Sequence, residues 1–472
     1  MDTETTDRSK AVLGVTCAAS FVALLDLTVV NIAFPNMAED FSETDLSTLS
    51  WVLNAYAIVF AALLVPAGRL GDRYGRRKIF LSGMAVFTLA SALCAVAPSP
   101  WFLVGARVLQ AIGGALLVPT SLALLLPAFP PQRRASAVAM WGGSAVIASA
   151  LGPTLGGFLV DVASWRWVFL FNLPLGLYTV LRGKKVLSEY RDQQGGARPD
   201  VLGILGFSIG IAALAFGIVK AGPDWGWTDT GTLVSFAVAA VLVAAVLARS
   251  ARHQSPVLDV RLFGVRSFAA ANTASLIFGM AFYATLLGNI LFLTGVWGWS
   301  PIKAGLAITP GPIAATLVAL PAGRLADRFG ARAVVLPAVL IYALAGYLWY
   351  RNMGVEVDYA ADFLPGMILA GIGSGVGLSI LTSAATAALP PLQFATSTAV
   401  VTMARQIGAV LGIAILVAIV GTPGPADVLD VFRDAWLFIA IASLASAVAV
   451  LPISKGHAAP APTVPAPTKA AA

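Results

Sequence analysis

Residues 20–35 read SFVALLDLTVVNIAFP, with one aspartate, Asp26, in an apolar run that begins near Ala11. A carboxylate at the centre of a membrane helix costs about 2.5–3.5 kcal/mol on insertion scales, so it faces a polar cavity or a partner. Arg107, in RVLQAIGGA, is the partner that spacing offers. Asp26 lies about nine residues from one end of its apolar run and Arg107 about seven from the matching end of its own, so their depths differ by about 3 Å. A fixed ion pair would only glue two helices. A pair whose partner moves would take up and release a proton, because burial favours a neutral carboxyl and a nearby cation favours the carboxylate. Asp26 is the one acid of 23 that is embedded at depth in an apolar span, the others standing at span ends or in loops. A carrier driven by protons needs such a group, which weighs the reading toward titration.

Arg405 is the second cation at depth, ten residues into its apolar span and followed by Gln406. No acid of the C-terminal half stands at its level, and snorkelling, backbone carbonyls and an anionic substrate are all open to it. Asn31, Trp51, Asn54, Tyr56 and Tyr283 have the aromatic and amide character that suits an amphipathic ligand, though any one such residue more often serves packing or a membrane interface. Enzymatic chemistry finds no foothold. The two histidines, His253 and His457, fall in a polar loop and in the tail, and no His/Cys/carboxylate cluster is present. GIGSGVG at 371–377 lies inside an apolar span with no strand before it, so it reads as helix packing; no phosphate-binding GxxxxGK[ST] occurs, which excludes ATP as the direct energy source. Cys17 and Cys94 both sit in apolar runs and imply neither a disulfide framework nor a metal site.

The elements that must hold these residues follow from composition. Of the 472 residues 58% are hydrophobic and 11% charged, and apolar stretches of about 18 residues or more recur throughout. Fourteen spans result: 11–34, 50–70, 79–97, 101–126, 135–160, 167–187, 201–221, 231–250, 268–292, 302–323, 333–351, 363–388, 395–420 and 432–453. All are expected to be helices, since only a helix satisfies its own backbone in lipid. The polar start gives no sign of a cleaved signal peptide. The Pro/Ala-rich tail is expected to be disordered.

With the N-terminus inside, 23 of the 30 Lys and Arg fall on the cytoplasmic side, 5 outside and 2 in the membrane. That bias predicts cytoplasmic N- and C-termini and explains the net charge of +7 without nucleic acid. GRLGDRYGRRK at 68–78 returns as GRLADRFGARA at 323–333, an offset of 255 residues. Two six-helix halves separated by two additional helices fit that offset, the layout of a carrier that rocks one half on the other around a site near the midplane.

LLDLTVVNIAFP, WVLNAYAIVFAALLVPAGRLGDRYGRRK, RVLQAIGGA, GPTLGG and WRWVFLFNLPLG stand in the order, and on the helices, where the chain resembles the major facilitator superfamily and within it the fourteen-helix drug:proton antiporters. The resemblance covers nearly the whole chain. It implies an all-α polytopic membrane protein of the major facilitator fold: 1–10 a cytoplasmic N-terminus, 11–187 one six-helix bundle, 188–267 the two additional helices with their linkers, 268–453 the second bundle, and 454–472 a disordered cytoplasmic tail. It implies a cell-membrane exporter of amphipathic drugs or antibiotics, acting as a monomer, coupled to the proton gradient and needing no cofactor. A lipid, secondary-metabolite or nutrient carrier is the runner-up; a membrane receptor or enzyme comes after it.

By resemblance Asp26 and Arg107 match the two motif residues tied to proton coupling. In the loop motif Gly68, Gly71 and Gly75 permit a tight turn, and Asp72 can bridge to an arginine or a helix N-terminus. Arg73, Arg76, Arg77 and Lys78 set topology, and by resemblance the loop, Arg69 included, latches the two halves. The second copy lacks the terminal basic cluster, which puts a symmetric latch in doubt. Gly152, Pro153, Gly156 and Gly157 offer a close-packing, bent helix face. With its proline it resembles the motif that marks antiporters, the ground for expecting export. The absence of any acid in the C-terminal membrane helices sets the chain apart from relatives that move dications.

Overall fold

Backbone groups in an apolar chain must find partners within their own segment, and the chain meets that demand with helices at every apolar run. The computed structural model describes residues 3–190, 200–221, 225–253, 256–389, 394–421, 424 and 427–454. In chain order the helices are α1 (Thr3–Asp40), α2 (Leu46–Leu49), α3 (Trp51–Tyr74), α4 (Arg76–Ala95), α5 (Pro100–Leu125), α6 (Pro131–Val162), α7 (Trp167–Leu170), α8 (Asn172–Val186), α9 (Val201–Ala221) and α10 (Thr230–Ser250). The second half follows as α11 (Arg266–Gly295), α12 (Pro301–Ile308), α13 (Pro310–Phe329), α14 (Ala331–Asn352), α15 (Leu364–Ala387), α16 (Phe394–Val420) and α17 (Val428–Val450).

Among the described residues twelve helical segments are long and apolar enough to cross a membrane. Of the fourteen expected spans, the fifth corresponds to α6, whose Leu151–Val162 stretch is the part that registers as apolar. The sixth is broken at Phe171 into α7 and the 15-residue α8. The chain start departs from expectation: residues 3–10, read as a polar lead-in, continue α1. Arg8 there donates to the Val186 carbonyl and, at 2.6 Å, to Ser188 Oγ, tying α1 to the end of α8. The tail from residue 455 onward lies outside the described residues.

The repeat seen in the loop motif extends through the fold. Gly75 closes α3 with φ 105° and Gly330 closes α13 with φ 86°, conformations that favour glycine. Pro66 and Pro321 lie inside the same two helices. α1 packs on α6 as α11 packs on α16, and α5 meets α3 and α4 as α15 meets α13 and α14. GIGSGVG serves that packing: Gly371 and Gly375 press on the α13 backbone at Gly311 and Ala315, and Gly373 presses on α14.

Helices α9 and α10 form a hairpin closed by Asp200, which accepts from Gly203 N at 2.9 Å and Arg249 Nε at 2.7 Å. Burial opposes the Asp200 charge. The bonds from Arg249 and the Gly203 amide, with the charges of His253 and Arg249, outweigh it and hold the carboxyl below the usual range.

Candidate functional site

Asp26 and Arg107 meet. α1 and α5 cross so that Arg107 Nη1 lies 2.5 Å from Asp26 Oδ2, with the side chains 1% and 0% exposed. Three further helices complete the surroundings. Gln110, one turn beyond Arg107, donates through Nε2 to Asp26 Oδ1 and to Ser91 Oγ on α4, both at 2.9 Å, and accepts from Arg107 Nη1 at 2.7 Å. Asn172 at the start of α8 donates to Asp26 Oδ1 at 3.4 Å and to Ser91 at 3.3 Å. Arg107 Nε donates to the Val52 carbonyl of α3, and its guanidinium lies 4.0 Å from the centre of the Tyr56 ring. Every bond to Asp26 is also a bond between helices, and Arg107 and Gln110 carry the network on to α3 and α4, so a change of charge at Asp26 is felt at α1, α3, α4, α5 and α8 together. Gln110 and Asn172 were not singled out by sequence, although both stand inside quoted motifs; the usable signal was an amide inside an apolar helix.

The small-residue face of α6 forms two seams. Gly152 and Gly156 press on Thr28, Val29 and Ile32 of α1, just beyond Asp26. Gly157 and the Pro153 carbonyl face α12: a Cβ at Gly157 would sit 2.5 Å from the Pro301 carbonyl oxygen, and Gly305 packs on the Pro153 carbonyl. Thr154 and Thr309 hydroxyls stand 2.6 Å apart on the same line. The two halves therefore touch at the end of the bundle where α6 finishes and α12 begins. Gly408 and Gly412 of α16 press on α11 at Leu276 and Met280 in the manner of Gly152 and Gly156 on α1, without a proline between them.

At the opposite end, Asp72 pairs with Arg76 four residues on, at 2.8 Å, inside its own loop. Arg76 also donates to the Ala123 carbonyl of α5. Gly71 packs on Thr120, and Gly75 leaves room for Glu189. It is Glu189, unremarked in the sequence, that takes the helix terminus: its oxygens accept from Arg77 N at 3.0 Å and Lys78 N at 3.2 Å at the start of α4. Arg77 donates to the Lys184 carbonyl at 2.7 Å, Arg73 lies against the Tyr74 ring, and Arg69 donates to the Pro256 carbonyl of the linker after α10. Gly68 faces Pro119 of α5.

The remaining candidates separate. Trp51 leans on Phe216 of α9, with ring centroids 6.4 Å apart, which places it against an additional helix. Asn31 and Asn54 are buried, each with an unpartnered Oδ1. Tyr56 stacks on Phe60 beneath Arg107, its Oη unpartnered. Tyr283 on α11 donates to Gln406 Oε1 at 2.9 Å, beside Arg405.

The sequence profile of the Major Facilitator Superfamily matches residues 16–250 and 271–471. The chain belongs to that superfamily. A multidrug resistance protein B homolog of Mycobacterium tuberculosis is 31% identical over 405 residues, covering 85% of this chain and 74% of that protein. A cephamycin export protein of Amycolatopsis lactamdurans is 31% identical over 452 residues, 94% of this chain and 93% of that one. Among solved structures, the bacterial homolog to the human lysosomal transporter Spinster, inward-facing and unoccupied, superposes with a TM-score of 0.62 at 17% identity, over 98% of this chain and all of that one; this likeness concerns the fold alone. As a major facilitator the chain is a multi-pass membrane transporter of small substrates and not an enzyme.

Proposed function

We propose that the protein is a proton-coupled antiporter that exports amphipathic small molecules, such as drugs or antibiotics, across the cell membrane by alternating access. In this reading the membrane is crossed fourteen times, as two six-helix bundles (11–187 and 268–453) with α9 and α10 between them. Both termini are cytoplasmic, and the proton gradient is the sole energy source. The observation that carries it is the buried Asp26–Arg107 pair. A proton on Asp26 ends the ion pair but leaves the carboxyl its amide partners Gln110 and Asn172, while Arg107 keeps Gln110, the Val52 carbonyl and the Tyr56 face. Every partner except the ion pair itself thus persists when Asp26 is neutral, which suits a group that cycles between protonation states. In this orientation the α6–α12 seam closes the outer end. The drug and antibiotic names among the relatives support the substrate class. Efflux of a fluorescent amphipathic dye from intact cells, stopped by a protonophore, is the expected result; unchanged efflux with the gradient collapsed refutes proton coupling.

Topology has its own test. On a background without Cys17 and Cys94, single cysteines at Glu43, Asp229 and Asp358 react with an impermeant thiol reagent added outside intact cells. Cysteines at Gln132, Gln194 and Gln254 do not; the last two lie outside the described residues. Labelling of Gln194 and Gln254 would remove the fourteen-helix arrangement.

The loop around Asp72 gives a third expectation. Its pair with Arg76 is half-exposed and, as a surface ion pair, is worth about 0–1 kcal/mol, so Asp72→Asn leaves folding intact. Turnover falls roughly 5–150-fold, the range of a conformational coupling energy, while equilibrium dye binding in detergent is preserved. Equal loss of binding and transport would rule out a purely conformational role.

A further inference from the structure

The Asp26–Arg107 pair is neutral as a unit and says nothing of the substrate's own charge. That charge is met in the other half. We infer that Arg405, with Tyr283 and Gln406, forms a subsite for the anionic group of an amphipathic substrate, a carboxylate, sulfonate or phenolate; the inference deepens the export reading and rests on it.

Arg405 lies 11 residues into the 27-residue α16, which at 1.5 Å per residue is about 16 Å from the helix start and beyond reach of a snorkelling side chain. A cation at such depth costs about 2.5–3.5 kcal/mol unless something meets it. Among the described residues no carboxylate, hydroxyl or carbonyl stands within hydrogen-bond distance of its guanidinium, and the acids of the C-terminal half stand at helix ends or in connections. Two of the three fates open to Arg405 from sequence, snorkelling and backbone carbonyls, are thereby removed.

The neighbours fit an anion. Gln406, 1% exposed, accepts from Tyr283 through Oε1, which leaves its Nε2 donor buried and unpartnered. An unmade bond of that kind costs about 1–3 kcal/mol, and an acceptor oxygen at this place removes the cost. The helices that carry these residues, α11 and α16, pack on α1 and α3, which carry Asp26 and Tyr56, across the boundary between the halves. The subsite therefore faces the seam between the bundles, opposite the proton site. α11 and α16 are locked there by Gly279 against the Arg405 carbonyl and by Gly408 and Gly412. One half thus carries the proton and the other the substrate's charge, with a buried cation that draws anions and repels cations.

The test uses two dyes on one ring system: fluorescein, an anion at neutral pH, and rhodamine 123, a cation. Binding is measured by fluorescence anisotropy on purified full-length protein in detergent, with no gradient. Wild type binds fluorescein at least about tenfold more tightly than rhodamine 123, a difference of about 1.4 kcal/mol. Arg405→Gln loses that preference and Arg405→Lys keeps most of it. Fluorescein binding no tighter than that of rhodamine 123, absent binding included, overturns the inference, as does a preference that survives in Arg405→Gln. Should Arg405→Gln fail to fold, judged by gel filtration, the wild-type ratio and Arg405→Lys still decide. Anion preference without protonophore-sensitive efflux would refute the export reading and leave the subsite; efflux without anion preference would do the reverse.

Discussion

Asp26→Asn abolishes export driven by a pH gradient while the protein still folds and inserts. Asparagine keeps the size and polarity of the aspartate and can bond Gln110 and Asn172 in its place, but it has no titratable proton to release. The substitution leaves Arg107 without a counter-charge. Removing one member of a buried pair costs about 3–5 kcal/mol in a rigid site. Here the cost is lower, because the proposed cycle itself visits a state with a neutral side chain at position 26, and the Val52 carbonyl, Gln110 and the Tyr56 ring receive the guanidinium. A modest drop in melting temperature is therefore expected for Asp26→Asn, partly recovered when Arg107→Gln is added, since the two residues share one network. Coupling does not recover in the double variant. Substrate efflux and internal pH followed together in proteoliposomes separate the two effects. Wild-type proton movement in Asp26→Asn would reduce the pair to a structural contact between α1 and α5.

What the sequence disclosed and what it concealed have physical reasons. Depth along a helix follows from residue counting, so the meeting of Asp26 and Arg107 was legible from apolar boundaries alone. Azimuth does not follow from counting, and an apolar helix buried on several sides has no sharp polar face to reveal it. For that reason Trp51 and Tyr56, five residues apart on α3, read as one ligand wall, yet Trp51 lies on α9 and Tyr56 under Arg107. The acid at the start of α4 was hidden for a different reason: Glu189 is more than a hundred residues from Arg77 and Lys78, and only the return of the chain after α8 brings it there. The 255-residue repeat was legible because turn glycines tolerate little substitution where φ is positive, as at Gly75 and Gly330. The small-residue repeat, Gly152 and Gly156 against Gly408 and Gly412, was missed because glycines four apart are common in membrane helices and gain meaning only from what they touch.

Gly157→Ala opens the seam at which the two halves meet, and export falls with it. A Cβ at this position stands 2.5 Å from the Pro301 carbonyl oxygen and 2.9 Å from Ile302 Cα, both backbone atoms that no rotamer change can move aside. Overpacking of this kind costs about 1–3 kcal/mol. The clash exists only while α6 and α12 are together, so the cost falls on the outward-closed conformation and spares the open one. The equilibrium then moves by roughly 5–150-fold toward the state open at that end. Gly305→Ala, which meets the Pro153 carbonyl from the other side of the seam, has the same effect, whereas Gly105→Ala, with nothing within 4 Å, has none. A single cysteine at Thr309, which contacts Thr154 across the seam, reports the change as faster labelling from the proposed outer face. Unchanged labelling and transport in both seam variants would show that this contact takes no part in the cycle. The same cysteine links the seam to the proton site. Asp26 lies two residues before Thr28, on which Gly152 of α6 rests, and five residues further along α6 Gly157 rests on α12. A charge change at Asp26 that shifts α1 therefore reaches the contact between halves through one intervening helix, and Asp26→Asn alters Thr309 labelling even where no substrate is present.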